Sequence, residues 1–174
     1  MNNLHARLAE ISALPESDAK WQKIEDLATN LFEEGVSLGT IKGFTVDEIE
    51  AAYHMAYGLY QQRRFSEAVK LFQYFAIHEH TDRRFWMGWA ACLQKLKKYE
   101  PAIKAYSVAT MLDVGQPDGP FHAAECYIAM KDWDNAKQSL ETVLTIAKGE
   151  DAHTAYAERA VNLIELVSNN QKEG

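Results

Sequence analysis

The apolar positions of this chain repeat at an interval of 34 residues. In three consecutive windows, 49–82, 83–116 and 117–150, position 8 is Ala56, Ala90 and Ala124, and position 20 is Ala68, Ala102 and Ala136. Position 11 is Leu59, Leu93 and Tyr127, position 17 is Phe65, Tyr99 and Trp133, and position 24 is Phe72, Tyr106 and Leu140. Small residues recur where two helices must touch, and large ones where the space between them must be filled. Each window therefore predicts a helix pair. The first helices are expected over about 47–62, 83–97 and 117–131, and the second over about 66–79, 100–113 and 134–148.

Local signals set the ends. Thr45 and Glu48 form a capping box ahead of the first helix. Pro101 suits a first turn, where its missing N–H does no harm. Asp134 is expected to cap the last helix of the third window and Gly149 to end it. Beyond it, Ala157, Ala160, Val161, Ile164 and Val167 keep helical spacing, so 151–168 predicts a capping helix, with 169–174 as a frayed polar end. Ahead of the repeats, Trp21, Ile24, Leu27, Ala28, Leu31 and Phe32 mark an amphipathic stretch ending at Gly35, followed by a short segment at 38–41. The expected organisation is all-α: a helical leader (1–48), three repeats (49–82, 83–116, 117–150) and a cap with its tail (151–174).

A 34-residue helix–turn–helix with this pattern resembles the tetratricopeptide repeat. The chain departs from that family at position 32, where Pro is common and where His80, Val114 and Lys148 stand here. The resemblance implies a superhelix in which each repeat buries its apolar faces against its neighbours. It also implies that positions 5, 9 and 12 of each first helix face a concave wall. These are Tyr53, Tyr57 and Tyr60, then Met87, Ala91 and Gln94, then Phe121, Glu125 and Ile128. So apolar a concavity suits an extended apolar peptide, with tyrosine supplying contact area and a hydroxyl for backbone groups. The competing expectation is that these side chains are core, but the three tyrosines share one face in any register. Tetratricopeptide domains that grip C-terminal carboxylates carry Lys and Asn where Tyr53 and Tyr57 stand here, so that mode is excluded.

Composition narrows the function classes. The 174 residues are 47% hydrophobic and 25% charged, which is ordinary globular usage. A net charge of −7 argues against general nucleic-acid binding and against docking on anionic membrane. No apolar run approaches the length of a membrane span, and the N-terminus lacks the pattern of a secretory signal, so a cytoplasmic location is expected. The charge is uneven: the middle repeat holds six basic and two acidic residues, and the acidity lies toward both ends. Cys92 and Cys126 both fall at position 10 of a first helix and read as small buried residues. His122 and Glu125 are too few for a metal site, and His78 and His80 read as a solvated turn. Arg63, Arg64, Arg83, Arg84, Lys95, Lys97 and Lys98 read as charged turns and exposed helix ends. No glycine-rich phosphate loop or nucleophile–base set appears, so neither a cofactor nor catalysis is expected.

From Phe32 to about Leu144 the chain also resembles a narrower group, the class II chaperones of bacterial type III secretion (SycD/LcrH-like translocator chaperones). Three stretches carry it: 32–38 (FEEGVSL) with 47–53 (DEIEAAY) and the Tyr57/Tyr60 pair, then 84–94 (RFWMGWAACLQ), then 120–126 (PFHAAEC). Ala102-Ile103 and Tyr106-Ser107 add to it. The resemblance implies a virulence-associated bacterial cytoplasmic protein that holds hydrophobic translocators soluble. It implies binding of an extended segment near the translocator's N-terminus in the groove. It further implies a homodimer, through N-terminal helices, and a transcription regulator as a further partner. The alternative is a general tetratricopeptide scaffold that binds folded partners through its convex face.

Overall fold

The computed structural model describes residues 10–15, 17–23, 26, 39 and 43–173. Apart from Trp21, which is exposed, the apolar residues expected to build the leader fall outside the described residues, as do all of 38–41 except Gly39. The repeats form three helix pairs. These are α1 (Val46–Gln61) with α2 (Phe65–His78), α3 (Arg83–Lys95) with α4 (Tyr99–Leu112), and α5 (Asp118–Ala129) with α6 (Trp133–Ala147). A 3₁₀ turn at Asp151–His153 leads into α7 (Thr154–Glu173). No strand occurs among the described residues.

Each helix starts and stops for a local reason. The capping box at α1 forms in full: the Glu48 N–H donates to Thr45 Oγ1 at 3.2 Å, and the Thr45 N–H donates to Glu48 Oε2 at 2.8 Å. The Asp82 carboxylate caps α3 by accepting from the Arg84 N–H at 3.0 Å. At α6 the cap is Asp132, which accepts from the Asn135 N–H at 3.3 Å, and not the expected Asp134, which lies inside the first turn. The second helices begin at Phe65, Tyr99 and Trp133, because the turn before each is only three residues long.

That turn is the same in all three repeats. Arg63, Lys97 and Lys131, spaced 34 apart, sit in the left-handed region with φ of 60°, 58° and 61°. Their N–H groups donate to Tyr60, Gln94 and Ile128, and the next N–H groups to Leu59, Leu93 and Tyr127, at 2.9–3.0 Å. This double bond pattern is a Schellman closure, which satisfies two carbonyls at the end of each first helix.

Helices pack in chain order, each on the next, with α1 also touching α3 and α5 also touching α7. Ala56, Ala68, Ala90, Ala102, Ala124 and Ala136 are fully buried, so the two helices of a pair can approach closely. Phe72, Phe85, Tyr106, Phe121, Leu140, Val143 and Val167 fill the spaces between layers. Each such side chain contributes on the order of 1.5–3 kcal/mol by its burial. The end of the array is closed by α7, whose Tyr156, Ala160, Leu163, Ile164 and Val167 cover α5 and α6. The helix runs on to Glu173 rather than fraying at 169, and the Gln171 amide donates to Asp134 at 2.7 Å.

Candidate peptide-binding groove

The first helices line a concave cavity of about 380 Å³. Tyr53, Tyr57 and Tyr60 come from α1, Met87, Ala91 and Gln94 from α3, and Glu125 from α5. Spacings of three and four residues put these side chains on one helix face. Tyr53 and Tyr57 stack with ring centroids 6.1 Å apart, and Tyr53 meets Phe85 edge-on at 5.8 Å. Tyr57 keeps 44% of its surface exposed, so the tyrosine wall is open to a ligand. Its neighbours Tyr53 and Tyr60 are half-buried, and burial pushes their phenols up from the ordinary value, leaving neutral hydroxyls.

Two expected wall residues stand elsewhere. Phe121 is fully buried and does not line the groove. Its ring lies edge-on to Tyr156 at 5.3 Å, and the Arg159 guanidinium covers it at 4.3 Å. The physical reason is α7, whose Tyr156 and Arg159 cover this ring, and a phenyl ring has no hydroxyl that favours exposure. Ile128 lies in an adjoining cavity of about 580 Å³ between α3, α5 and α7. Gln94, Lys95 and Glu125 line both cavities, so the two are continuous.

Charged residues that the helical pattern alone did not mark enter the groove. Arg84 covers the Tyr53 ring at 4.9 Å and is held by Glu50 at 2.6 Å and Asp82 at 2.7 Å. Hydrogen bonds to those two carboxylates raise its pKa further above the ordinary guanidinium value. Arg83 pairs with Asp118. Glu50, Arg84 and Asp118 occupy position 2 of the three windows, so extending the 5–9–12 stripe one step back would have found them. Arg83, Arg84 and Lys95 are thus groove residues rather than merely charged turns and helix ends.

A polar network closes the floor. The Tyr106 hydroxyl donates to Gln94 Oε1 at 2.7 Å, and the Gln94 amide donates to Glu125 Oε2 at 3.1 Å. His122 Nδ1 lies 2.9 Å from the same oxygen, and its ring stacks on Tyr106. Burial pushes the Glu125 carboxyl up, but hydrogen bonds from His122 and Gln94 and the charges of His122 and Arg159 outweigh that and hold it below the usual range. Side chains held this firmly can position the polar groups of a ligand. Cys92 and Cys126 are buried free thiols, and burial pushes both up to about 12. His78 and His80 are partly buried rather than solvated: His78 stacks on Tyr74 at 4.1 Å, and the His80 carbonyl accepts from the Trp86 indole at 2.9 Å. Among the described residues no three His, Cys, Asp or Glu side chains converge on a point, and no helix is long and apolar enough to cross a membrane.

Comparison with known proteins adds a family. Tetratricopeptide-repeat profiles match residues 85–114 and 121–146. The low calcium response locus protein H of Yersinia pestis is 28% identical over 133 residues, 76% of this chain and 79% of that protein. PcrH of Pseudomonas aeruginosa, solved with the chaperone-binding region of PopD, is 34% identical with a TM-score of 0.71, over 74% of this chain and 97% of PcrH. The Yersinia enterocolitica chaperone SycD, solved with a peptide of the translocator YopD, is 28% identical with a TM-score of 0.69, over 73% of this chain and 97% of SycD. SycD has also been solved in an alternative dimer. The repeat pattern, the fold and this near-complete coverage of PcrH agree, and the chain belongs to the type III secretion translocator chaperones typified by PcrH and SycD.

Proposed function

We propose that this protein is a non-enzymatic cytoplasmic chaperone that binds an extended segment near the N-terminus of hydrophobic translocator proteins, keeping them soluble and secretion-competent. The observation that carries this reading is the tyrosine-walled groove. Seven of the nine expected wall positions line one cavity, and the wall presents phenol rings and a methionine to a ligand. An extended segment suits it, since its alternating side chains can enter apolar recesses while its backbone meets hydroxyls and amides. PcrH and SycD, each solved with a translocator segment, support the same use of the fold. We further propose that residues 1–48 form a homodimer interface; deleting 1–44 should then reduce the mass in light scattering from that of two chains to that of one shortened chain.

The test is co-expression with a protein bearing long hydrophobic segments encoded beside its gene. The native chain should keep that protein in the soluble fraction and co-purify with it. Tyr57→Glu places a charge on the exposed part of the wall and should abolish the complex with helicity intact. Undiminished co-purification by Tyr57→Glu and Ala91→Glu would overturn the groove assignment.

A further inference from the structure

The two guanidiniums that cover position-5 rings differ in how fully they are engaged. Arg84, over Tyr53, donates from Nε and both terminal nitrogens to Asp82 and Glu50 at 2.6–3.2 Å. Arg159, over Phe121, makes one long hydrogen bond, 3.5 Å to Glu125 Oε1, among the described residues. It keeps 57% of its side chain exposed. Glu125 is already occupied at its other oxygen by Gln94 and His122. Lys95, one turn from Ala91, is exposed and has no hydrogen bond or ion pair among the described residues.

The pairing of the cations therefore differs along the groove. At the tyrosine end Arg83 is held by Asp118, and Arg84 by Glu50 and Asp82. The α7 end holds Lys95 and Arg159 against Glu125, an excess of one positive charge, around a cavity of about 580 Å³. Asn162 adds a neutral polar side chain there. A guanidinium with unused donors beside a free ammonium suits a carboxylate, whose two oxygens accept several charge-assisted bonds. An acidic side chain is therefore drawn to the α7 end, where the cations are less fully paired.

We propose that the α7 end of the groove is a subsite for an Asp or Glu side chain of the bound segment, read by Lys95 and Arg159, and that it fixes the segment's register. This rests on the groove reading above. Met87 and Lys95 are eight residues apart on α3, about 12 Å along the axis. An extended chain covers that in about three to four residues, so the acidic side chain falls that far from an apolar anchor at Met87.

The experiment is selection of a random linear peptide library, displayed on phage, on the native full chain and on Lys95→Gln, Arg159→Gln and Tyr57→Glu. Peptides selected by the native chain should carry apolar anchors with Asp or Glu enriched about threefold, the size of an exposed charge pair, three or four residues away. The enrichment should vanish with Lys95→Gln, an exposed position, and on adding salt, while the apolar anchors persist. Arg159→Gln should act likewise, with circular dichroism checking the fold beneath it. Apolar anchors without acidic enrichment on the native chain, or enrichment that Lys95→Gln leaves unchanged, would overturn the subsite and leave the groove standing. Selection of peptides that bind Tyr57→Glu equally well would overturn both.

Discussion

Position 5 of the repeats shows how one context separates core from site. Tyr53 and Phe121 are equivalent in sequence, and each lies under an arginine from the helix two along the array, Arg84 or Arg159. Tyr53 keeps part of its ring in the groove, whereas Phe121 is sealed by Tyr156. Phe121→Ala should therefore cost about 3–5 kcal/mol, as deletion of a buried aromatic does. Tyr57→Ala should cost under about 1 kcal/mol, as an exposed change does. Chemical denaturation of both variants checks the contrast. The cysteines give a second residue-scale prediction. Burial pushes both thiols up to about 12, so at pH 8 a disulfide reagent should leave the native protein untouched and titrate both after unfolding. Because the folded state holds those protons more tightly, this contribution to stability is intact below the ordinary thiol value of 9.0 and is lost as pH rises toward 12. A native chain that reacts at pH 8 would contradict the burial.

At the scale of the element, the turn inside each repeat stores strain. Arg63, Lys97 and Lys131 hold positive φ, a conformation that costs a residue with a Cβ about 1–2 kcal/mol. Glycine escapes that cost but loses more freedom on folding. Lys97→Gly and Lys131→Gly should each stabilise by roughly 0.5–1 kcal/mol, read as a higher melting temperature. Gly88 makes the opposite case. A Cβ there would stand 2.3 Å from the Phe72 ring, which is buried between α2 and α3. Gly88→Ala should lower stability by about 1–3 kcal/mol despite the better helix former. The helices themselves were legible because small and large positions recur at a fixed interval. The second helix of each pair begins one residue before the expected 66, 100 and 134, because the turn chemistry rests on basic residues and not on glycine. The stripe of Tyr53, Tyr57 and Tyr60 was legible through the resemblance to the tetratricopeptide repeat, which implies that positions 5, 9 and 12 face the concave wall. The floor network of Gln94, Tyr106, His122 and Glu125 was not, since it joins three helices through contacts that no local spacing encodes.

The whole molecule is a stack whose end must be covered. Phe121, Leu140 and Val143 share one buried cluster with Ala160 and Val167 of α7. A chain ending at 150 should lose the third repeat first, because stability in a linear array is carried by neighbours. Amide exchange should then speed up in α5 and α6 more than in α1 to α3; uniform exchange would contradict it. The same helix completes the groove by supplying Arg159, Asn162 and Leu163, which helical spacing in the tail revealed as a cap but not as a wall. Charge of both signs lines this surface, with Arg83, Arg84 and Lys95 from the middle repeat and Asp118 and Glu125 from the third. The groove is where the cargo is expected to lie. The most direct measurement is photo-crosslinking from a benzophenone side chain at position 57, 87 or 111 in the co-expressed complex. Crosslinks from 57 and 87 to a segment near the translocator's N-terminus, and none from the exposed Met111 position outside the groove, are the expected result. Crosslinks from 111 with none from 57 or 87 would contradict it.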